Sequence, residues 1–88
     1  MANTEKVLAA LGRKFVLLVM RTLGDTTMSY VEIQRVLKIK PVPLVRALRA
    51  LLSVDLALRK EEVNGRVYYS LTQKGMKVQK IVLKIDSV

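Results

Sequence analysis

"VEIQRVLKIKPVPLVRALRALLSVDLALRK", Val31 to Lys60, holds two helical patterns with one break between them, and the reading of that break decides the fold. Val31, Ile33, Val36 and Leu37 mark an amphipathic helix of about two turns, and Ser29 stands ahead of it as an N-cap. The pattern lapses over Lys38 to Lys40. Pro41 and Pro43 follow. Proline is tolerated in a first helical turn because those amides have no intrahelical acceptor, so a second helix starts near Lys40 to Val42. Its inward stripe is Leu44, Leu48 and Leu51, with Leu52 at the margin, and Val54 and Asp55 end it.

Downstream, Leu56 to Val63 reads as a strand with Leu58 its clearest inward residue. Asn64 and Gly65 both tolerate positive φ, and between two extended runs they signal a two-residue hairpin turn. Pairing across such a turn sets Val63 opposite Arg66, Lys60 opposite Tyr69 and Leu58 opposite Leu71. Leu58, Val67, Tyr69 and Leu71 then face the core, and Tyr68 lies on the other face. Thr72 caps a last helix running towards Asp86, with Val78, Ile81, Val82 and Ile85 as its apolar stripe and Lys74, Lys77, Lys80 and Lys84 on the other side.

Upstream, Thr4 to Leu23 reads as one long helix capped by Thr4 and stopped by Gly24 and Asp25, with apolar residues on more than one face. In a small chain such a helix implies a partner surface. Residues 26–28 form a short extended piece. The order is helix, short strand, helix, helix, two-stranded hairpin, helix, an α+β arrangement filling 1–88 as one domain. Two short helices joined by a tight turn and followed by a hairpin make a winged helix-turn-helix, with the second helix at about 41–53 and the wing at about 57–71.

The composition narrows function. With no Cys and no His, structural zinc, thiol nucleophiles, disulfides and imidazole catalysis are excluded. The seven acids are dispersed and no Gly-rich phosphate loop is present, so no enzyme and no cofactor are expected. Sixteen Lys and Arg against seven Asp and Glu give a net charge of +9, which makes a polyanion the first partner to consider. No uninterrupted apolar span approaches the ~20 residues of a bilayer crossing, and the N-terminus lacks a signal-peptide pattern. No membrane partner is expected, and a cytoplasmic, nucleoid-associated location is.

Three segments carry a resemblance to the MarR-like and HxlR-like regulator families. "LGRKFVLLVMRTL" resembles the first-helix signature of the HxlR type, through Gly12, Lys14 and Phe15. Val31 to Lys60 is similar to the MarR-type helix-turn-helix, and "YYSLTQKG" to the end of the wing in both families. The resemblance implies a homodimeric transcriptional regulator that binds double-stranded DNA and dimerises through its first and last helices. Two positions depart from the pattern. Asp55 stands where these families typically have Gly, and Pro41, Val42, Pro43 and Val45 stand where they usually offer Ser, Thr, Asn or Gln to base edges.

The residues expected at DNA are Lys40, Val42, Val45, Arg46 and Arg49 on or near the second helix, and Asn64, Gly65 and Arg66 at the wing tip. Valine offers bases only apolar contact, so phosphate contacts are expected to carry much of the affinity, with specificity from Arg46, Arg49 and DNA shape. Glu61 and Glu62 oppose DNA on the same hairpin, and the lysines of the last helix read as a solvated face. Two rivals remain. One is a winged-helix module that docks a protein on Pro41 to Val45; the other is a sequence-tolerant architectural DNA binder.

Overall fold

The computed structural model describes residues 2–86. The elements are α1 (Ala2–Leu11), α2 (Val16–Leu23), β1 (Met28–Ser29), α3 (Tyr30–Leu37), α4 (Pro41–Ser53), β2 (Ala57–Glu61), β3 (Val67–Leu71) and α5 (Gln73–Asp86). No helix among the described residues is long and apolar enough to cross a membrane.

The single helix expected over Thr4 to Leu23 is two helices, and Thr4 lies inside the first rather than at its cap. Phase explains the break. At about 100° per residue, a continuous helix would place Val7, Ala10 and Leu11 opposite the Val16, Val19, Met20 and Leu23 stripe. Breaking the helix at Gly12 to Phe15 turns both stripes onto one core, where Ala10 and all four stripe residues of α2 are buried. Phe15 makes the reversal with a left-handed backbone, φ 68°, and its carbonyl accepts from the Val19 amide.

Ser29 caps α3 as expected. Its Oγ accepts from the Glu32 amide at 3.1 Å, and Glu32 Oε1 accepts from the Ser29 amide at 3.3 Å. This reciprocal box contributes about 1 kcal/mol. α3 closes at Lys38, also left-handed at φ 54°, whose amide donates to the Gln34 carbonyl. Lys40 then takes extended backbone, and Pro41 and Pro43 occupy the first turn of α4. The buried stripe of α4 is Leu44, Ala47, Leu48, Ala50 and Leu51, with Leu52 half-buried.

The sheet is three-stranded and antiparallel in the order β1-β3-β2, with Met28 paired to Tyr69. The hairpin exists where expected, but its register is shifted by one residue. Arg59 pairs with Tyr69 and Ala57 with Leu71. The turn has three residues rather than two: the Glu62 amide donates to the Arg66 carbonyl, and the Gly65 amide returns to the Glu62 carbonyl. Gly65 alone of the turn residues takes positive φ, 85°. A one-residue slip moves a strand's side chains to the opposite face. Leu58, expected inward, is therefore 56% exposed, while Leu56 and Ala57 are buried. Tyr69 and Leu71 are buried as expected, with Val67 half-buried.

α5 starts against the corner between α4 and β2. Thr72 Oγ1 accepts from the Gly75 amide at 2.9 Å and donates to the Asp55 carbonyl at 2.7 Å. The Thr72 amide donates to the Leu56 carbonyl at 3.0 Å. Lys74, expected on the solvated face, donates through Nζ to the Val54 carbonyl at 3.1 Å. Further along, Val78 and Val82 are half-buried and Ile81 is 59% exposed; the Ile85 side chain lies outside the described residues.

Candidate nucleic-acid interface

The geometry of α4 follows from which of its residues the core takes. Leu44, Ala47, Leu48 and Leu51 fix the inward direction, so Val42, Arg46, Arg49 and Ser53 project from the other side. Val42 is 60% exposed, and Lys40, Arg46 and Arg49 are exposed. Val45, also expected at the surface, is only half-buried and offers less of itself. Neither Arg46 nor Arg49 is ion-paired within the described residues.

At the wing, the turn consumes part of what the sequence offered. Asn64 Oδ1 accepts from the Arg66 amide at 3.0 Å, so the Asn64 carbonyl shapes the hairpin. Gly65 has open space where a Cβ would stand. Arg66 is exposed, and with Gly65 it lines a groove of about 650 Å³ whose other wall is Ser29, Tyr30, Val31, Glu32 and Arg35. Glu32 is held back by the capping box. Glu62 stands 3.9 Å from Lys60 at the base of the turn, which offsets part of its repulsion of an anion.

The expected arginines therefore divide into two groups that border different hollows. Arg66 shares its groove with Arg35 of α3. Arg46 and Arg49 share a depression with Arg13, Ala50 and Ser53, and Arg46 shares a second with Arg13, Lys14, Pro43 and Ala47. Sequence reasoning missed both Arg13 and Arg35. Arg13 was hidden inside a supposed long helix. Arg35 had a readable signal, because it lies on the face of α3 opposite the buried Ile33. Among the described residues no three His, Cys, Asp or Glu side chains group as a metal site.

The fold has counterparts. The family model for the HxlR-like helix-turn-helix matches residues 10–87. A protein of Porphyromonas gingivalis assigned to the MarR family of transcriptional regulators is 30% identical, with a TM-score of 0.82 over 96% of this chain and 85% of that one. The transcriptional regulator YodB of B. subtilis in its reduced form is 24% identical, with a TM-score of 0.83 over 94% and 84%. HlyU of Vibrio cholerae is 20% identical, with a TM-score of 0.83 over 96% and 91%. At those last two identities the likeness is one of fold. No curated protein matches the chain.

Proposed function

Because the chain belongs to the HxlR-like helix-turn-helix family of winged-helix transcriptional regulators, we propose that it acts by binding double-stranded DNA as a homodimer. α4 enters the major groove and the β2–β3 wing follows the backbone beside it. Lys40, Arg46, Arg49 and Arg66 contact phosphate or groove edges, Val42 and Val45 give apolar contact, and the Asn64–Gly65 turn lets the wing approach closely. The observation that carries this reading is the outer face of α4, where two exposed arginines without ion pairs among the described residues rise from a fully buried leucine stripe in a chain of charge +9.

Support for the dimer comes from apolar surface that one copy leaves uncovered. Leu8 on α1 is 63% exposed, Leu17 and Leu18 on α2 are 38% and 40% exposed, and Ile81 and Leu83 on α5 are 59% and 45% exposed. Leu17, Leu18 and Val82 line a common hollow where α2 meets α5. Two-fold pairing through these helices places two α4 helices for half-sites about one helical turn apart.

The rival protein-docking surface is smaller than the sequence suggested, because Pro43 and Val45 are half-buried. With no cysteine among the 88 residues, any switching of DNA affinity proceeds without thiol chemistry. The test is fluorescence anisotropy of a labelled mixed-sequence duplex over a salt series. Affinity is expected to fall steeply with salt, and the slope to shrink by about 2 in Arg46→Ala with Arg66→Ala, one unit for each phosphate lost. Absence of binding at low salt sinks the DNA reading and turns attention to Pro41 to Val45.

A further inference from the structure

The turn between α1 and α2 joins α4 in a cationic surface that neither element makes alone. Arg13 lines one depression with Arg46 and Arg49, and with Lys14 and Arg46 it lines the neighbouring one. We propose that Arg13, Arg46 and Arg49 together form a phosphate clamp for the DNA backbone on the flank of α4, separate from the groove that Arg66 lines, and this rests on the DNA-binding reading above.

Four features support it. No carboxylate lines either depression, and Arg13, Arg46 and Arg49 make no ion pair among the described residues. Cations gathered in this way repel one another until an anion sits between them. Second, the uncharged lining is compact: Pro43, Ala47, Ala50 and Ser53, with Ser53 Oγ already donating to the Ala50 carbonyl at 2.8 Å, so a phosphate meets guanidinium groups with little in the way. Third, the turn is well anchored. The Arg13 amide donates to the Ala10 carbonyl, its own carbonyl accepts from Val16, and half-buried Phe15 carries Lys14 Nζ 5.1 Å from its ring centroid. Fourth, planar guanidinium forks on two elements suit the two non-bridging oxygens of a tetrahedral phosphodiester.

The clamp alters the division of labour along α4. Arg46 and Arg49, adjacent on the helix surface, turn towards the α1–α2 turn and hold backbone, which leaves Lys40 and Val42 at the helix start to approach the bases. Sequence preference then rests on apolar contact and DNA shape, while affinity rests on two separate phosphate contacts, at the clamp and at the wing.

The chemistry that recognises a phosphodiester also recognises a free phosphorylated anion, so the experiment separates them. Duplex binding is measured over a salt series for the wild type, Arg13→Gln, Arg13→Lys and the α5 control Lys77→Gln; each protein is also titrated with inorganic pyrophosphate. Folding is checked by circular dichroism. Arg13→Gln is expected to weaken binding roughly threefold to tenfold on any duplex sequence and to reduce the salt slope by about 1, while Arg13→Lys and Lys77→Gln keep the wild-type slope. A wild-type slope in Arg13→Gln overturns the clamp and leaves the DNA reading standing. If Arg13→Gln instead loses pyrophosphate binding at an unchanged duplex slope, the cluster serves a free anion and its own assignment to DNA is overturned. A wild-type chain without affinity for any duplex overturns both.

Discussion

Two turns of this chain use left-handed backbone for opposite purposes. At the α4–β2 corner Asp55 takes φ 61°, and at the wing tip Gly65 takes φ 85°. The corner is gripped from outside its own segment, since Thr72 and Lys74 of a distant stretch bond to the carbonyls of Val54, Asp55 and Leu56. Among the described residues the tip is held only by its own, through the Glu62, Asn64, Gly65 and Arg66 bonds. A corner tied by several long-range hydrogen bonds fixes where the hairpin emerges, and a tip tied by local ones adapts to what it meets. The hairpin is thus a clasp at its base and a wing at its end.

The strongest way to break this contrast is at Gly75. A Cβ there is driven into the Leu56 carbonyl and comes within 3.3 Å of the Leu71 Cβ, so α5 must shift off the corner. Gly75→Ala is expected to destabilise the fold by about 3 kcal/mol, the upper end of overpacking costs, because backbone yields less readily than a side chain. Urea unfolding checks it. The Lys-Gly of the first helical turn, visible in the sequence only as part of a family pattern, thereby acquires a physical reason: α5 can dock on the corner only where a residue lacks a side chain.

Thr72→Val comes next. The hydroxyl accepts the α5 capping bond and donates to Asp55, so its removal leaves one amide and one carbonyl without that partner. The expected cost is about 1–2 kcal/mol, less than for Gly75→Ala because losing a hydrogen-bond partner does not force the packed backbone apart. Hydrogen exchange at Gly75 should accelerate in the variant while exchange at Gly65 stays at its wild-type rate. Equal acceleration at the two glycines would remove the distinction between corner and tip.

What the sequence carried, and what it did not, follows the same line between local and distant. The Ser29 cap, the two prolines and the leucine stripe of α4 act within a few residues, and all were readable. The hairpin was readable from Asn64–Gly65, but its register was not. That dipeptide suits a two-residue turn with positive φ at both positions and also a three-residue turn with only the glycine left-handed. Burial at the strand's start decided between them: Leu56 and Ala57 go inside, and alanine is a weak hydrophobic signal beside Leu58. The helix break at Gly12 to Phe15 was concealed because each half is a good helix, and only the opposed phases of their stripes reveal it. At the candidate interface, Arg46, Arg49 and Arg66 were readable as exposed cations. Arg13 was not, because its place beside Arg46 arises from the packing of α2 against α4.

The smallest expected effect sharpens the contrast at the tip itself. Gly65→Ala meets no steric obstacle, since nothing lies within 4 Å of the added Cβ, so its cost is the backbone preference alone. A residue with a Cβ held at φ 85° is disfavoured by about 1 kcal/mol, and the loss is partly offset because alanine has less freedom than glycine in the unfolded chain. Asp55 holds left-handed backbone without being glycine where Thr72 and Lys74 grip the corner; among the described residues no hydrogen bond from outside the turn holds residue 65. Gly65→Ala should therefore relax locally, lowering global stability by about 1 kcal/mol or less while amide exchange rises at Arg66 and not at Leu56. In the DNA titration the same variant should lose affinity without a change in salt slope, because it repositions Arg66 without removing its charge. A variant that lost stability throughout, with exchange rising equally at Leu56, would show that the tip and corner form one rigid unit.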